Sequence, residues 1–221
     1  MLKCDFHMHA KEDPEDRLSY SAKDLIKYAK KLNYDVLAIT LHNKFFFNQD
    51  IKNFAKRHGI LLISGMEATV EGKHILFHDL KEDPVVFDFE ELESYKDEFF
   101  ITPAHPFYPS CSVGREMLYD YRKLWDFVEY SHFYTTHLNL NKSAEPFCRR
   151  FKIPFIGNSD AHHLHDLGMT YTIVDADKNK DSVLEAIRKH KFRVSKKPES
   201  PFMFFEDTLW SVGTQFRNVF K

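Results

Sequence analysis

The segment Cys4-Asp5-Phe6-His7-Met8-His9, close to the N-terminus, has the pattern of a β-strand that ends in two histidines. Because alternate side chains of a strand share a face, His7 and His9 are expected to point the same way. Other apolar runs of the chain end in residues of the same chemical kind: His42, Glu67, His105, His132, Asp160 and His162. Imidazoles and carboxylates that arrive from many strand ends indicate a site for several metal ions.

Strand-like and helix-like patterns alternate along most of the chain. Strands are predicted over residues 2–7, 35–40, 60–64, 74–80, 98–102, 127–130, 153–157 and 170–174. Helices are predicted after a cap at Ser21 and over residues 48–58, 88–95, 115–124, 141–151 and 181–190. This alternation is typical of a parallel sheet covered by helices, either a barrel or a doubly wound sheet.

The length of 221 residues is enough for one domain with a sizeable core. We expect the main domain to occupy residues 1–195 and a C-terminal extension, residues 196–221, to pack on the same domain. Within the extension, residues 202–205 are predicted to form a strand. An end helix is predicted to follow, with an apolar face formed by Leu209, Val212, Phe216, Val219 and Phe220.

The composition indicates no global attraction to nucleic acid or to membranes. The 31 Lys and Arg residues nearly balance the 33 Asp and Glu residues, for a formal net charge of -2. Cys4, Cys111 and Cys148 form no CxxC pair and are typical of reduced intracellular thiols. The sequence shows neither a signal peptide nor an apolar window of membrane-spanning length. We expect a soluble, cytoplasmic protein without a membrane partner, and the sequence leaves its oligomeric state open.

The polar residues at strand ends indicate a shared site only because the same pattern recurs at several strands. A lone histidine at a strand end is more often an ordinary hydrogen-bonding residue than a metal ligand, and Glu67 alone could be an exposed charge. Side chains at the carboxyl ends of parallel strands, however, converge at one mouth of a barrel, where barrel active sites lie. Because charged residues are seldom buried without a reason, recurrence at one predicted layer favours a shared site.

These motifs resemble those of the PHP family, the polymerase and histidinol-phosphatase metal phosphoesterases. The resemblance covers about residues 3–175 and keeps the family's order of motifs: His7-x-His9, Thr40-x-His42, Gly65-x-Glu67, His105, His132 and Asp160-x-His162. It implies an α/β fold, a distorted (β/α)7 TIM-like barrel, with two to three divalent metal ions. Mixed nitrogen and oxygen ligands suit Zn, Mn or Fe better than Mg.

The resemblance also implies which residues hold the first two ions. The first ion is held by two imidazoles and two carboxylates: His7, His9, Glu67 and Asp160. Glu67 bridges to the second ion, which is also held by His105 and His132.

A third ion is held, by the same resemblance, by His42, His162 and one residue of the loop after the first motif. The family has a His or an Asp there, and this loop offers carboxylates but no histidine. We favour Asp16, with Asp13 as the next candidate. The family usually has Asp before the histidine of the second motif, whereas Leu41 at this position cannot orient the imidazole of His42.

This set of residues predicts phosphate-ester hydrolysis. Clustered cations neutralise the charge of a phosphate ester and make water acidic enough to supply hydroxide near neutral pH, so no protein nucleophile is needed. We expect a metal-dependent phosphoesterase, a phosphatase or an exonuclease, in which Glu67, Asp160 and His162 are catalytic. Its substrate is expected to be a phosphorylated small molecule or a nucleic-acid end.

Two other functions stay open at this point. Amidohydrolases also begin with His-x-His in a metal barrel, but they usually use a carboxylated Lys on a middle strand, where Glu67 stands here. This difference favours phosphoester chemistry. A metal-bearing domain that only binds nucleic acid or another protein is the non-catalytic alternative.

Other polar residues have weaker assignments. Arg17, Lys44 and Arg115 follow ligand-bearing segments and are candidates to contact the substrate phosphate, although an ordinary surface role competes for each. His74, His78 and His137 are expected to have structural roles. His163 and His165 are expected at exposed loop positions, and Cys111 is not expected to act as a nucleophile.

Overall fold

Nine strands and seven α-helices make up the part of the chain that this computed structural model describes, residues 1–84, 86–109 and 111–219. Of residues 211, 212 and 214–219 it describes the helical backbone alone. The strands are β1 (Leu2–Asp5), β2 (Val36–Ile39), β3 (Leu61–Val70), β4 (Lys73–His78), β5 (Phe100–Pro103), β6 (Val128–Ser131), β7 (Phe155–Asn158), β8 (Thr170–Val174) and β9 (Phe192–Lys196). The helices are α1 (Ala22–Lys31), α2 (Gln49–Arg57), α3 (Phe89–Leu92), α4 (Gly114–Asp120), α5 (Glu145–Phe151), α6 (Lys180–Arg188) and α7 (Pro201–Val219). Short 3-10 helices span Glu93–Tyr95, Leu140–Ser143 and Leu164–Asp166.

Seven strands form one mixed sheet in the order β5-β4-β3-β2-β1-β8-β9, and β6 and β7 form a separate parallel pair. The central strands β1, β2 and β3 are parallel, whereas β4, β5, β8 and β9 are added antiparallel. The pair lies against both ends of the larger sheet, because β6 lies beside β5 and β7 lies beside β8. The protein therefore has an α/β fold with a curled, half-barrel sheet, and the predicted (β/α)7 barrel is not confirmed.

The alternation of elements predicted a wholly parallel sheet. The turn at Glu71-Gly72 explains why the sheet is mixed instead. Both residues have positive φ, 46° and 74°, as in the two-residue turns that join hairpin strands. Such a short connection joins antiparallel neighbours, since a parallel pair needs a crossover of about a dozen residues or more. Consequently β3 runs past its predicted end and pairs with β4.

The first helix begins at the predicted cap. Ser21 Oγ accepts a hydrogen bond from Asp24 N (3.2 Å), and Asp24 Oδ2 accepts one from Ser21 N (3.2 Å). This capping box satisfies amides that the first helical turn leaves without partners. On the inner face of α1, Leu25 and Ile26 are fully buried in the core.

The C-terminal extension is helical where a strand was predicted. Residues 202–205 lie in α7. The helix starts here because Ser200 Oγ accepts a hydrogen bond from Met203 N (3.2 Å) and Pro201 is the first helical residue, and both features favour a helix N-terminus. The prediction of a strand rested on the apolar run alone and is wrong.

The contacts of α7 differ from the predicted apolar face. Leu209 is 56% exposed, whereas Trp210 packs against the core. The side chains of Val212, Phe216 and Val219, and the whole of Phe220, lie outside the described residues. Within the described ranges no helix, α7 included, has the length and the apolar character needed to cross a membrane.

Gly157 allows β7 to approach the neighbouring strands closely. A Cβ at this position would lie 2.4 Å from Val194 Cγ1 and 2.9 Å from Thr170 Cγ2. We expect Gly157→Ala to lower the free energy of unfolding by about 1–3 kcal/mol, the usual cost of an overpacked core. Chemical denaturation measures this difference.

Two further variants control this experiment. Val194→Ala removes one of the two clashes, so the double variant should recover part of the lost stability. Gly213→Ala adds a Cβ that meets no atom of the described residues within 4 Å and replaces a helical glycine, so it should leave stability unchanged or raise it by up to about 1 kcal/mol. Equal stability of Gly157→Ala and the wild type would contradict the close approach.

Candidate metal centre

The first histidine pair lies just past β1, between two neighbouring segments of the chain. Met8 forms a parallel bridge with Ala161, and Thr40 N donates a hydrogen bond to Met8 O (3.0 Å). Met8 is fully buried in the core. Because alternate residues of an extended segment face opposite ways, His7 and His9 face away from that core. The segments after β1, β2 and β7 thereby bring their polar side chains together.

Four buried donor groups converge at this point: His7, His9, Glu67 and Asp160. Glu67 Oε2 lies 3.1 Å from His7 Nε2 and 3.2 Å from His9 Nε2. Asp160 Oδ1 lies 3.2 Å from His7 Nε2 and 3.4 Å from His9 Nε2. The two Nε2 atoms are themselves 3.1 Å apart.

This convergence fits a divalent ion better than a hydrogen-bond network. Metal–ligand bonds of about 2.0–2.2 Å place neighbouring ligand atoms roughly 3.0–3.5 Å apart in octahedral or tetrahedral geometry. The separations between these atoms, 3.1 to 3.4 Å, match that range. Asp160 Oδ1 is buried and accepts no well-aligned hydrogen bond from the described residues, as expected of an oxygen placed to bind a cation.

Glu129, in the middle of β6, orients the ring of His7. Its Oε1 lies 2.8 Å from His7 Nδ1 and accepts a hydrogen bond from Asn158 Nδ2 (2.9 Å), while its Oε2 accepts one from His105 N (2.6 Å). An imidazole that donates through Nδ1 keeps the Nε2 lone pair free for a metal ion. Sequence reasoning missed Glu129, although a charge at the centre of a predicted strand was an available signal.

A second group of donors shares His9 and adds Asp16, His42 and His162. Asp16 Oδ2 lies 3.0 Å from His162 Nε2 and 3.4 Å from His42 Nδ1. The ring of His9 packs against the rings of both His42 and His162, with centroids 4.4 Å apart in each case. The structure therefore brings Asp16, the favoured loop residue, together with the two histidines of the implied third position.

Asp13 has a supporting place in the same loop. Its Oδ2 lies 3.0 Å from His9 Nδ1 and 3.1 Å from His42 Nδ1, and it accepts a hydrogen bond from His42 N (2.8 Å). Its Oδ1 accepts a hydrogen bond from Asp16 N (3.2 Å). Leu41 is fully buried in the core. Asp13 thus gives His42 a carboxylate contact that Leu41 cannot supply.

The other oxygen of Glu67 faces different side chains. Glu67 Oε1 lies 2.9 Å from His74 Nδ1 and 3.3 Å from His105 Nε2, and the ligand atoms of these two histidines lie within 4.8 Å of the Cys111 thiol. Only a structural role was expected for His74, so this contact was missed. Its signal was the hairpin register: Glu67 pairs with Leu76, which places His74 diagonally across on the same face.

His132 faces a residue of the C-terminal segment. Its Nε2 lies 3.2 Å from Oε1 of Glu199, which is buried. Burial raises the pKa of the Glu199 carboxyl to about 9, with smaller contributions from Asp207 and Asp166. Sequence reasoning missed Glu199, because it lies beyond the main predicted domain and reaches His132 only when the chain folds back.

The backbone is strained at two residues of the centre. His105 has φ 26° and Asp160 has φ 46°, in the left-handed region that disfavours residues with a Cβ. Such a conformation costs about 1 kcal/mol or more for each residue. Strain of this kind is concentrated at functional sites, so its presence at two converging donors supports a functional reading.

The carboxylates and imidazoles shift one another's pKa. Burial raises the pKa of the Glu67 carboxyl, but the charges of His7, His74 and His42 outweigh burial and hold that pKa well below its usual range. Burial lowers the pKa of the His7 imidazole, but Asp160 and other neighbouring carboxylates raise it well above its usual value. Protons on imidazoles therefore balance the buried carboxylates when no cation does so.

The candidate phosphate contacts are exposed side chains. Lys44 Nζ donates a hydrogen bond to Glu12 O (2.6 Å). The Arg115 guanidinium lies 5.7 Å from the centre of the Tyr119 ring, and Arg17 lies in the loop after the first motif. Their roles toward substrate stay predictions.

His78 and His137 have the structural character expected of them. His78 Nε2 lies 2.7 Å from Phe6 O, and burial lowers the pKa of this imidazole to about 4. His137 is an exposed loop residue whose backbone N–H donates to Thr135 Oγ1 (3.3 Å).

Comparison with known proteins gives the chain its family. A family model described as PHP-associated matches residues 139–192, which include α5, β7 and the Asp160-x-His162 motif. An uncharacterized protein of Methanocaldococcus jannaschii is 31% identical over 132 residues, which cover 54% of this chain and 76% of that protein. The family-model match supports assignment of this chain to a PHP-domain family.

Solved structures share the fold of this PHP-domain chain. One is a two-domain protein from Bacteroides vulgatus that contains a predicted PHP-like metal-dependent phosphoesterase. Its TM-score is 0.69 and its sequence identity is 20%, and the match covers 89% of this chain and 65% of that protein chain. The lesion-specific endonuclease PfuEndoQ from Pyrococcus furiosus has a TM-score of 0.59 and 18% sequence identity. This match covers 87% of this chain and 57% of the endonuclease chain. This chain spans less than two thirds of either structure, and likeness at this identity shows the fold alone.

Glu129→Gln is expected to weaken metal binding about 10- to 100-fold. The amide nitrogen of Gln must face either the His7 ring and the Asn158 amide or the backbone N–H of His105, and all of these donate. Competition with a chromophoric chelator measures the affinity for zinc or manganese. Glu116→Gln, at an exposed position of α4, is the matched control. Wild-type affinity in Glu129→Gln would contradict the orienting role.

The affinity of the candidate metal centre for a divalent ion is expected to fall as pH decreases. Burial lowers the pKa of His7 and His9, but the surrounding carboxylates outweigh it and raise both well above the usual value. Protons therefore compete with a cation for these rings, because a ligand histidine must lose its proton to bind. Titration calorimetry in buffers of different ionisation enthalpy should show proton release on binding. An affinity that is constant across roughly pH 6 to 9 would argue against this coupling.

Proposed function

We propose that this PHP-domain chain is a metal-dependent phosphoesterase that hydrolyses a phosphomonoester, or a phosphate ester of a nucleotide or oligonucleotide, with a metal-activated hydroxide. The observation that carries this proposal is the two-sided contact of Glu67. Its Oε2 faces His7 and His9, while its Oε1 faces His74 and His105. A carboxylate shared between two sets of donors can hold two ions a few ångströms apart, the arrangement used in two-metal phosphoester hydrolysis.

In this proposal two to three divalent ions, Zn, Mn or Fe, occupy neighbouring positions. The proposed ligands are, for the first position, His7, His9, Glu67 and Asp160; for the second, Glu67, His105 and His132, with His74 as a further donor at Glu67; and for the third, Asp16, His42 and His162. Bound divalent ions neutralise the charge of a phosphate ester and make water acidic enough to supply hydroxide near neutral pH.

The residues of the chain fix the geometry in which this chemistry takes place. Asp160 extends between two positions, because its Oδ1 lies 3.2 Å from His7 Nε2 and its Oδ2 lies 3.9 Å from His105 Nε2. His162 limits the centre on the side of α7, where the ring of Trp210 lies 4.6 Å from the His162 ring. We propose Glu67, Asp160 and His162 as the catalytic group on these grounds.

The proposed substrate class is a phosphate ester that approaches the centre end-on. The likeness in fold to a lesion-specific endonuclease supports the inclusion of nucleic acid, while the near balance of charges leaves small phosphorylated metabolites equally suitable. Arg17, Lys44 and Arg115 are the proposed phosphate contacts, since all three are exposed cations. The expected cytoplasmic location stays a prediction.

His7→Ala, Glu67→Ala and Asp160→Ala are each expected to lower hydrolysis of phosphate esters by more than about 100-fold and to reduce the bound metal. Each substitution removes a donor from the first position. The measurement combines metal analysis with rates on an aryl phosphate, a diaryl phosphate diester, short oligonucleotides and a panel of phosphorylated metabolites.

His137→Ala is the matched control, because His137 lies in an exposed loop and contacts its own turn. It should keep both metal and activity. An aryl amide in the same panel tests amidohydrolase chemistry. Wild-type rates in Glu67→Ala, or a metal-loaded protein inert on every phosphate ester, would overturn the proposed function.

A further inference from the structure

Four metal-type side chains meet outside the candidate centre, where α7 crosses the 3-10 helix Leu164–Asp166. We call them the α7 cluster: His163, His165, Asp166 and Asp207. One ligand atom of each lies within 4.8 Å of the others. They come from two parts of the chain about forty residues apart in sequence, so only the folded protein assembles them.

In the α7 cluster the distance between His165 and Asp166 matches a shared cation, and that between His163 and Asp207 lies midway between a shared cation and an ion pair. His163 Nδ1 lies 3.1 Å from Asp207 Oδ1, and His165 Nε2 lies 3.3 Å from Asp166 Oδ1. Hydrogen bonds between an imidazolium and a carboxylate are shorter, about 2.7–2.9 Å. Tetrahedral zinc with bonds of about 2.0–2.2 Å places its ligand atoms roughly 3.3–3.6 Å apart.

The carboxylates of the α7 cluster are buried, and the described residues offer no well-aligned hydrogen bond to the oxygens that face it. Asp166 and Asp207 are 1% and 8% exposed. Asp166 Oδ1 and both oxygens of Asp207 are buried and accept no hydrogen bond of good geometry from the described residues. A buried carboxylate oxygen without a partner is costly, and a cation removes that cost.

The α7 cluster is also held in place before any ion arrives. Asp166 Oδ2 accepts hydrogen bonds from the backbone N–H groups of His162 (3.0 Å) and His163 (2.6 Å), which leaves Oδ1 directed at the cluster. The rings of His163 and His165 are parallel within 5°, with centroids 5.1 Å apart. The side chain of His165 is 48% exposed, and it gives an ion a route from solvent.

We propose that the α7 cluster binds one divalent transition-metal ion, zinc by the chemistry of its donors, and that this ion fastens α7 to the segment after Asp160. Two imidazoles and two carboxylates are a tetrahedral zinc set, whereas Mg and Ca prefer oxygen ligands throughout. The site is structural, because all four corners are protein ligands. It is independent of the proposed phosphoesterase activity.

The fastened helix reaches the candidate centre through one side chain. Trp210 lies three residues after Asp207 and therefore on the same face of α7. Its ring lies 4.6 Å from His162 and 5.7 Å from His163. An ion at Asp207 thereby fixes the aromatic side chain that covers His162.

Asp207→Asn and His165→Ala test the proposal by metal content. Native mass spectrometry of the zinc-loaded full chain should show one zinc fewer in Asp207→Asn than in the wild type, and zinc affinity at this site should fall more than about 100-fold. His165→Ala, at a half-exposed position, should show the same loss without disturbing the core. Glu206→Gln, the exposed neighbour of Asp207 on α7, is the matched control and should keep the wild-type count.

Hydrogen exchange supplies a readout that needs no activity. Addition of zinc to the metal-free wild type should slow amide exchange in α7, and it should leave exchange in α7 of Asp207→Asn unchanged. Equal zinc counts and affinities in the wild type, Asp207→Asn and His165→Ala would overturn the proposal. So would zinc-independent exchange of α7 in the wild type, which would identify the cluster as two histidine–aspartate ion pairs.

Discussion

The burial of the Glu67 carboxylate is the constraint around which the rest of this structure is arranged. Glu67 is 1% exposed, and its oxygens contact five imidazoles: those of His7, His9, His42, His74 and His105. A buried carboxylate without partners is strongly unfavourable. The segments after β1, β2 and β5 and the β3–β4 hairpin must therefore meet at this point, so the curl of the sheet and the donor set form one arrangement.

The donors at strand ends could be predicted because their signal is local. Alternation within one strand places His7 and His9 on one face, and the same polar ending recurs at His42 and at Asp160. Their partners could not be predicted in this way. Glu129 reaches His7, and Glu199 reaches His132, from segments whose positions depend on the folded sheet and on the return of the chain after β9.

The direction of the strands depended on a short connection more than on the pattern of apolar residues. Buried apolar runs look alike in parallel and antiparallel strands, and the two-residue turn at Glu71-Gly72 decides between them. The same ambiguity applies to residues 202–205. An apolar run of that length fits a strand or a turn of helix equally, and the cap at Ser200 followed by Pro201 selects the helix.

The left-handed backbone at His105 and Asp160 sets a limit on how this protein can be stabilised. Glycine would relax either position by about 1 kcal/mol or more, yet it would delete a donor side chain. An unstrained backbone and a metal-donor side chain are thus incompatible at both positions. A replacement that stabilises the backbone at either position would therefore remove a proposed metal ligand.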